Sequence, residues 1–152
     1  MSCSNINFLL DTKEDLNFLK NKTVIYVDGS DNRALRDGLF LQIGEVVEKK
    51  FILTTKVTEK QTKRSVSENQ VAQKIDYKII IDYTLSDINK KCPDLKNIQI
   101  SNFSFTPKSS GYNFASDILL QNLYEEAVLK NINSFMSFVS NKFRNHTCLN
   151  EN

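Results

Sequence analysis

Residues Asn97–Phe143, NIQISNFSFTPKSSGYNFASDILLQNLYEEAVLKNINSFMSFVSNKF, decide how the rest of the chain is read. The first part is strand-like, with Ile98, Ile100, Phe103 and Phe105 set among polar residues. Pro107 removes a backbone donor and stops ladder pairing, and Ser109, Ser110 and Gly111 supply a turn. From about Ala115 an apolar period near 3.6 continues for roughly eight helical turns. Leu120, Leu123, Ala127, Val128, Ile132, Phe135, Val139 and Phe143 form its packing face. In the strand, Ile98 and Ile100 share one parity while Phe103 and Phe105 share the other. That mismatch predicts a β-bulge near Ser101–Asn102, or a strand partly covered on both faces.

Working outward, the upstream chain supplies the layer this helix lies on. TVIYV (Thr23–Val27) is a compact β-branched run closed by Asp28-Gly29, as expected of a short buried strand. Ser30, Asp31 and Asn32 offer N-cap oxygens to a helix predicted over Arg33–Lys49. Its apolar face is Leu35, Leu39, Ile43, Val46 and Val47. Gly38 and Gly44 weaken it by about 1 kcal/mol each relative to Ala, so tertiary packing must hold it.

Phe51–Val66 starts as a strand with Phe51, Leu53, Thr55 and Val57 on one side, then turns polar and basic. Lys74–Asp87 carries the clearest alternation, with Ile75, Tyr77, Ile79, Ile81, Tyr83 and Leu85 on one face. Only Ile80 interrupts the polar set. A polar turn around Lys91-Cys92-Pro93 leads into the fourth strand. The order β-α-β-β-β-α predicts an α+β two-layer sandwich, with two helices on one face of a four-stranded mixed sheet. The β1–helix–β2 crossover is parallel if those strands are neighbours, and the last three strands are antiparallel. Residues 1–22 read as an extended lead-in, 23–145 as one domain and 146–152 as a polar tail.

The chain has 152 residues, 40% hydrophobic and 25% charged, which sets it apart from disordered compositions. A net charge of +2 is too mild to argue for nucleic acid. No apolar run approaches the ~18 residues of a membrane span. The sequence contains no GxGxxG, GxxxxGK[ST], GxSxG or HExxH, so neither an enzyme nor a cofactor is expected. The single histidine, His146, falls in the polar tail, and with three cysteines lacking a CxxC pair no metal site is expected. Asp76 and Asp82 stand too far apart along a strand to act as a carboxylate dyad.

A basic strip remains at Lys56, Lys60, Lys63 and Arg64, which Lys108 joins if the sheet brings both ends together. It reads either as edge protection or as an anion contact to phosphate. The plainest reading of Cys3, Cys92 and Cys148 is free thiols. However, ten strand residues cover about 33 Å, while a helix of ~29 residues covers about 43 Å. The helix therefore overshoots the Cys92 turn, and a Cys92–Cys148 disulfide is geometrically open in an oxidising compartment.

The run from Ser104 to Phe143 resembles the C-terminal part of the LPS-assembly lipoprotein LptE family. Tyr112-Asn113, Ala115, Glu125-Glu126-Ala127 and the stretch from Ile132 to Phe143 hold the matching places. TVIYV, RALRDGL and YKIIIDYTL fall in matching order upstream, so the likeness covers roughly residues 20–143. The resemblance implies an outer-membrane lipoprotein facing the periplasm, without enzymatic activity. It implies a lipid anchor at Cys3 holding the chain to the inner leaflet, although Ser4 stands where family members often carry Gly. It also implies partnership with an LptD-type β-barrel, as plug and assembly partner, and lipopolysaccharide binding through Lys63, Arg64 and Lys108. Two other readings stand beside it. One is an auxiliary lipoprotein of another envelope lipid-transport system. The other is a cytosolic RNA- or protein-binding module, against which the wet face of the third strand (Asp76, Lys78, Ile80, Asp82, Thr84) offers no aromatic platform.

Overall fold

Alternation sets the sheet. In the computed structural model, which describes residues 18–29, 33–65, 73–107 and 114–145, the elements run β1 (Thr23–Gly29), α1 (Arg33–Ile43), β2 (Phe51–Ser65), β3 (Gln73–Asp87), β4 (Leu95–Phe105) and α2 (Phe114–Asn145). The strands lie in the order β1-β2-β3-β4, with β1 parallel to β2 and the others antiparallel. This is the α+β sandwich the sequence predicts. Odd-numbered residues of β2 and β3 point at the helices: Phe51, Leu53, Val57, Ile79, Ile81, Tyr83 and Leu85 are all buried. They meet Leu35, Leu39 and Ile43 of α1 and Val128, Ile132, Phe135 and Val139 of α2 in one core.

α1 ends at Ile43, not at Lys49. Gly44 adopts φ +78°, the left-handed conformation that terminates helices. The backbone N–H of Asn21 donates to Ile43 O at 2.8 Å, and Asn21 O accepts from Val47 and Glu48 at 2.8 and 3.1 Å. The chain before β1 therefore caps the helix, and Val47 is left 84% exposed outside the core. The same segment buries Leu19 and stacks Phe18 on Phe143 at 4.0 Å, joining the C-terminal end of α2 to the start of the sheet.

The predicted bulge in β4 is absent. β4 pairs with β3 in unbroken register from Leu95↔Leu85 to Phe105↔Ile75. Ile98 and Ile100 consequently face away from the helices, 62% and 51% exposed, while Asn97, Gln99 and Ser101 face inward. Asn131 of α2 makes this polar inner edge tolerable. It is 2% exposed; its Nδ2 donates to Gln99 O at 3.0 Å and to Ser101 Oγ at 3.3 Å, and its Oδ1 accepts from the Tyr83 hydroxyl at 2.9 Å. A buried amide with its partners in place costs little, whereas an orphaned one costs about 1–3 kcal/mol. Tyr83 is further held by stacking on Phe135, centroids 4.0 Å apart.

The helices meet at Gly38, where an added Cβ would lie 2.6 Å from Ile132 Cδ1 and 3.3 Å from Leu129 Cδ2. Gly38→Val is expected to overpack this crossing and lower stability by about 2–3 kcal/mol in urea denaturation. Gly38→Ala, which gains helix propensity, should lose about 1 kcal/mol or less.

Burial pushes the Tyr83 hydroxyl far above its usual value of 10.0. The folded state thus holds the phenolic proton more tightly than the unfolded state. That contribution is intact below about pH 10 and is lost as pH rises toward the folded value. Tyrosinate absorbance should show one of the five tyrosines ionising only as the chain unfolds. Tyr83→Phe should lower neutral stability by about 1 kcal/mol and flatten the alkaline loss.

Candidate functional site on the distal hairpin

β2 and β3 outrun their neighbour. β1 pairs only with Phe51–Val57, so β2 from Thr58 to Ser65 and its partner in β3 form a hairpin arm beyond β1, with β4 alongside β3 as far as Phe105↔Ile75. The outer face of this arm follows from register. Even-numbered residues point away from the helices, and the ladder sets Lys60 opposite Lys78 and Arg64 opposite Lys74. All four are exposed. Two like-charged pairs directly opposite on one face are unfavourable. In a water-like dielectric each repulsion is about 1 kcal/mol at 4 Å, small enough to be tolerated and readily reversed by a bound anion.

One carboxylate sits among the four cations. Asp76 lies between the two pairs on the same face, with Arg64 Nε 2.6 Å from its Oδ2 and the Ser104 hydroxyl donating to its Oδ1 at 2.6 Å. Oδ2 is buried and makes no aligned hydrogen bond, so charge alone holds the Arg64 contact. Among the described residues, the cluster retains three positive charges without a carboxylate partner. Lys56 differs, because it stands between Asp28 and Asp82 on the neighbouring strands.

The inner side of the same arm has the opposite character. Where α1 and α2 diverge from Gly38, a cleft of about 700 Å³ opens over the hairpin, lined among the described residues by Asp37, Glu59, Asp117 and Glu125 against one cation, Arg33. Tyr77 forms part of its floor, its hydroxyl pKa raised first by burial and then by the Glu59 carboxylate. Among the described residues, the two faces of the arm therefore differ in sign.

Of the residues singled out from sequence, the structure brings together only some. Arg64 is in the cationic cluster. Lys63 is exposed but has inward parity, opposite Ile75, so the pleat places the two neighbours on different faces. β4 does end beside them, since Phe105 pairs with Ile75, which pairs with Lys63. Cys3, Lys108 and Cys148 lie outside the described residues. The basic strip read along the sequence omits Lys74 and Lys78, although equal parity across a hairpin is the signal that finds them. Cys92 is half-buried and disulfide-bonded rather than a free thiol, with its partner outside the described residues. Among the described residues no group of three or more His, Cys, Asp or Glu is arranged to hold a metal ion.

The architecture recurs in solved structures. A protein of Caulobacter crescentus CB15 classed as a lipoprotein has a TM-score of 0.61 at 15% identity, covering 89% of this chain and 96% of its own. The minor lipoprotein of Acinetobacter baumannii has a TM-score of 0.52 at 5% identity, covering 80% of this chain and 92% of its own. At these identities what is shared is the fold, and it is a fold used by bacterial lipoproteins. No protein-family profile and no curated protein sequence matches the chain.

A thiol titration of the folded, unreduced chain without acyl groups should find one reactive thiol among the three cysteines. Three reactive thiols would contradict the disulfide at Cys92.

Proposed function

We propose that this protein is an outer-membrane lipoprotein of lipopolysaccharide export. It faces the periplasm, is anchored through acyl chains on Cys3, and acts as plug and assembly partner of an LptD-type β-barrel. Its role is binding, not catalysis. The observation that carries the reading is the pair of opposed cation pairs around Asp76, Lys60/Lys78 and Arg64/Lys74. Lipopolysaccharide presents several phosphates on a rigid headgroup, and a flat, cation-rich strand face meets such a surface with several charge-assisted contacts at once. Lys63 and Lys108 extend the basic end of the sheet.

Three further features support it. The fold is one that lipoproteins adopt. The disulfide at Cys92 fits an oxidising compartment such as the periplasm. A two-layer domain whose β2–β3 arm carries a charged outer face suits a water-filled barrel lumen, and several acyl chains hold a protein at a bilayer where one does not.

Titration calorimetry with purified lipopolysaccharide tests the binding. The wild-type chain should bind, and Lys60→Glu with Lys78→Glu should weaken binding by about ten-fold or more, near 1.4 kcal/mol. Lys56→Glu should change it little, and raising the salt should weaken it. Equal binding of dephosphorylated lipopolysaccharide, or indifference to the double substitution, would overturn the assignment. Co-purification with an LptD-type barrel tests the partnership, and clean failure would remove it.

A further inference from the structure

The two edges of the sheet are defended differently among the described residues. Past the end of β1, β2 carries Lys60, Lys63 and Arg64 along its exposed edge, which discourages pairing with another strand. β4, at the opposite edge, is defended by a single lysine near its start, Lys96. It is eleven residues long, without Pro or Gly, with Lys96 as its only charge, and its register with β3 is unbroken. Its outer face exposes Ile98 and Ile100, the latter beside Ile80 of β3.

On its inner side β4 borders a groove of about 380 Å³ against α2, centred between Ile100 and Phe103 on the strand and between Leu123 and Ser134 on the helix. Glu126 and Lys130 stand at its mouth, both exposed and one helical turn apart. Neither head group is in an ion pair among the described residues. A surface bearing one acid and one base symmetrically about its centre is complementary to itself after a two-fold rotation.

We infer that β4 is a homotypic docking edge on which a second copy of this chain pairs antiparallel about a two-fold axis near Ser101. The pairing continues the sheet across the axis through backbone hydrogen bonds. It sets Ile100 beside Asn102 of the second copy and diagonal to that copy's Ile100, removing apolar surface from water. Glu126 of each copy reaches Lys130 of the other. Lys96, near the end of the strand, meets no like charge. The contact uses the β4 edge of the chain outside a barrel and none of Lys60, Arg64, Lys74 and Lys78, so lipopolysaccharide binding and dimerisation are read by separate variants and can fail separately.

Sedimentation velocity of the full chain over a concentration series reads the assembly state. The expected species is a reversible dimer of twice the 17.5 kDa chain mass. Ile100→Lys, at an exposed position, should give monomer with unchanged circular dichroism. Glu126→Lys and Lys130→Glu should each raise the dimer dissociation constant about ten-fold, and the double exchange should restore it. A monomer at every concentration overturns the inference. So does a dimer that survives Ile100→Lys, or single charge variants that weaken association without rescue in the double exchange.

Discussion

The long antiparallel ladder between β2 and β3, fifteen pairs from Phe51↔Asp87 to Ser65↔Gln73, is the constraint on which everything else rests. Its period of two sorts the side chains: odd positions supply the core and even positions supply the solvent face. A one-residue slip would turn one strand over against the other, burying Lys56 and exposing Leu53, or burying Asp82 and exposing Tyr83, a loss no local rearrangement could offset. Because the ladder outruns β1, the same rule that builds the core also builds a projecting arm. On that arm, register alone decides which charges face each other.

The two helices complete the core unequally. α1 is short and held at its C-terminal end by the Asn21 turn, with Gly38 allowing close approach to Ile132. α2 is long enough to cover the sheet from the hairpin arm to Phe18. It also carries Asn131, the residue that lets a polar inner strand lie against an apolar helix. The divergence of the helices beyond Gly38 leaves the acidic cleft on one side of the arm while the cations occupy the other. That separation gives a nearly neutral molecule two faces of opposite sign.

The strand pattern in Lys74–Asp87 and the helical period after Ala115 are legible in the sequence because each is a local periodicity that the final packing reinforces. β4 is not, because its apolar residues do not mark the inner face. Ile98 and Ile100 point outward, while the Gln99 amide donates to Asn97 Oδ1 and an amide on a distant helix, Asn131, donates to Gln99 O and Ser101 Oγ. The end of α1 is overrun because Val46 and Val47 continue the helical spacing, while the positive φ of Gly44 and the Asn21 cap are invisible to periodicity. The cationic face is half legible. Lys60 and Arg64 stand in one basic strip, but their partners Lys78 and Lys74 emerge only once the hairpin register is known.

Recognition of anionic lipid by the outer face of the hairpin arm is tested most directly by amide chemical-shift mapping of the isotope-labelled chain during titration with lipopolysaccharide. The predicted shifts are concentrated in residues 58–65 and 73–79, with α1 and β1 unmoved. Shifts centred on the interhelical cleft around Asp37 and Glu125, or spread evenly over the sheet, would contradict it.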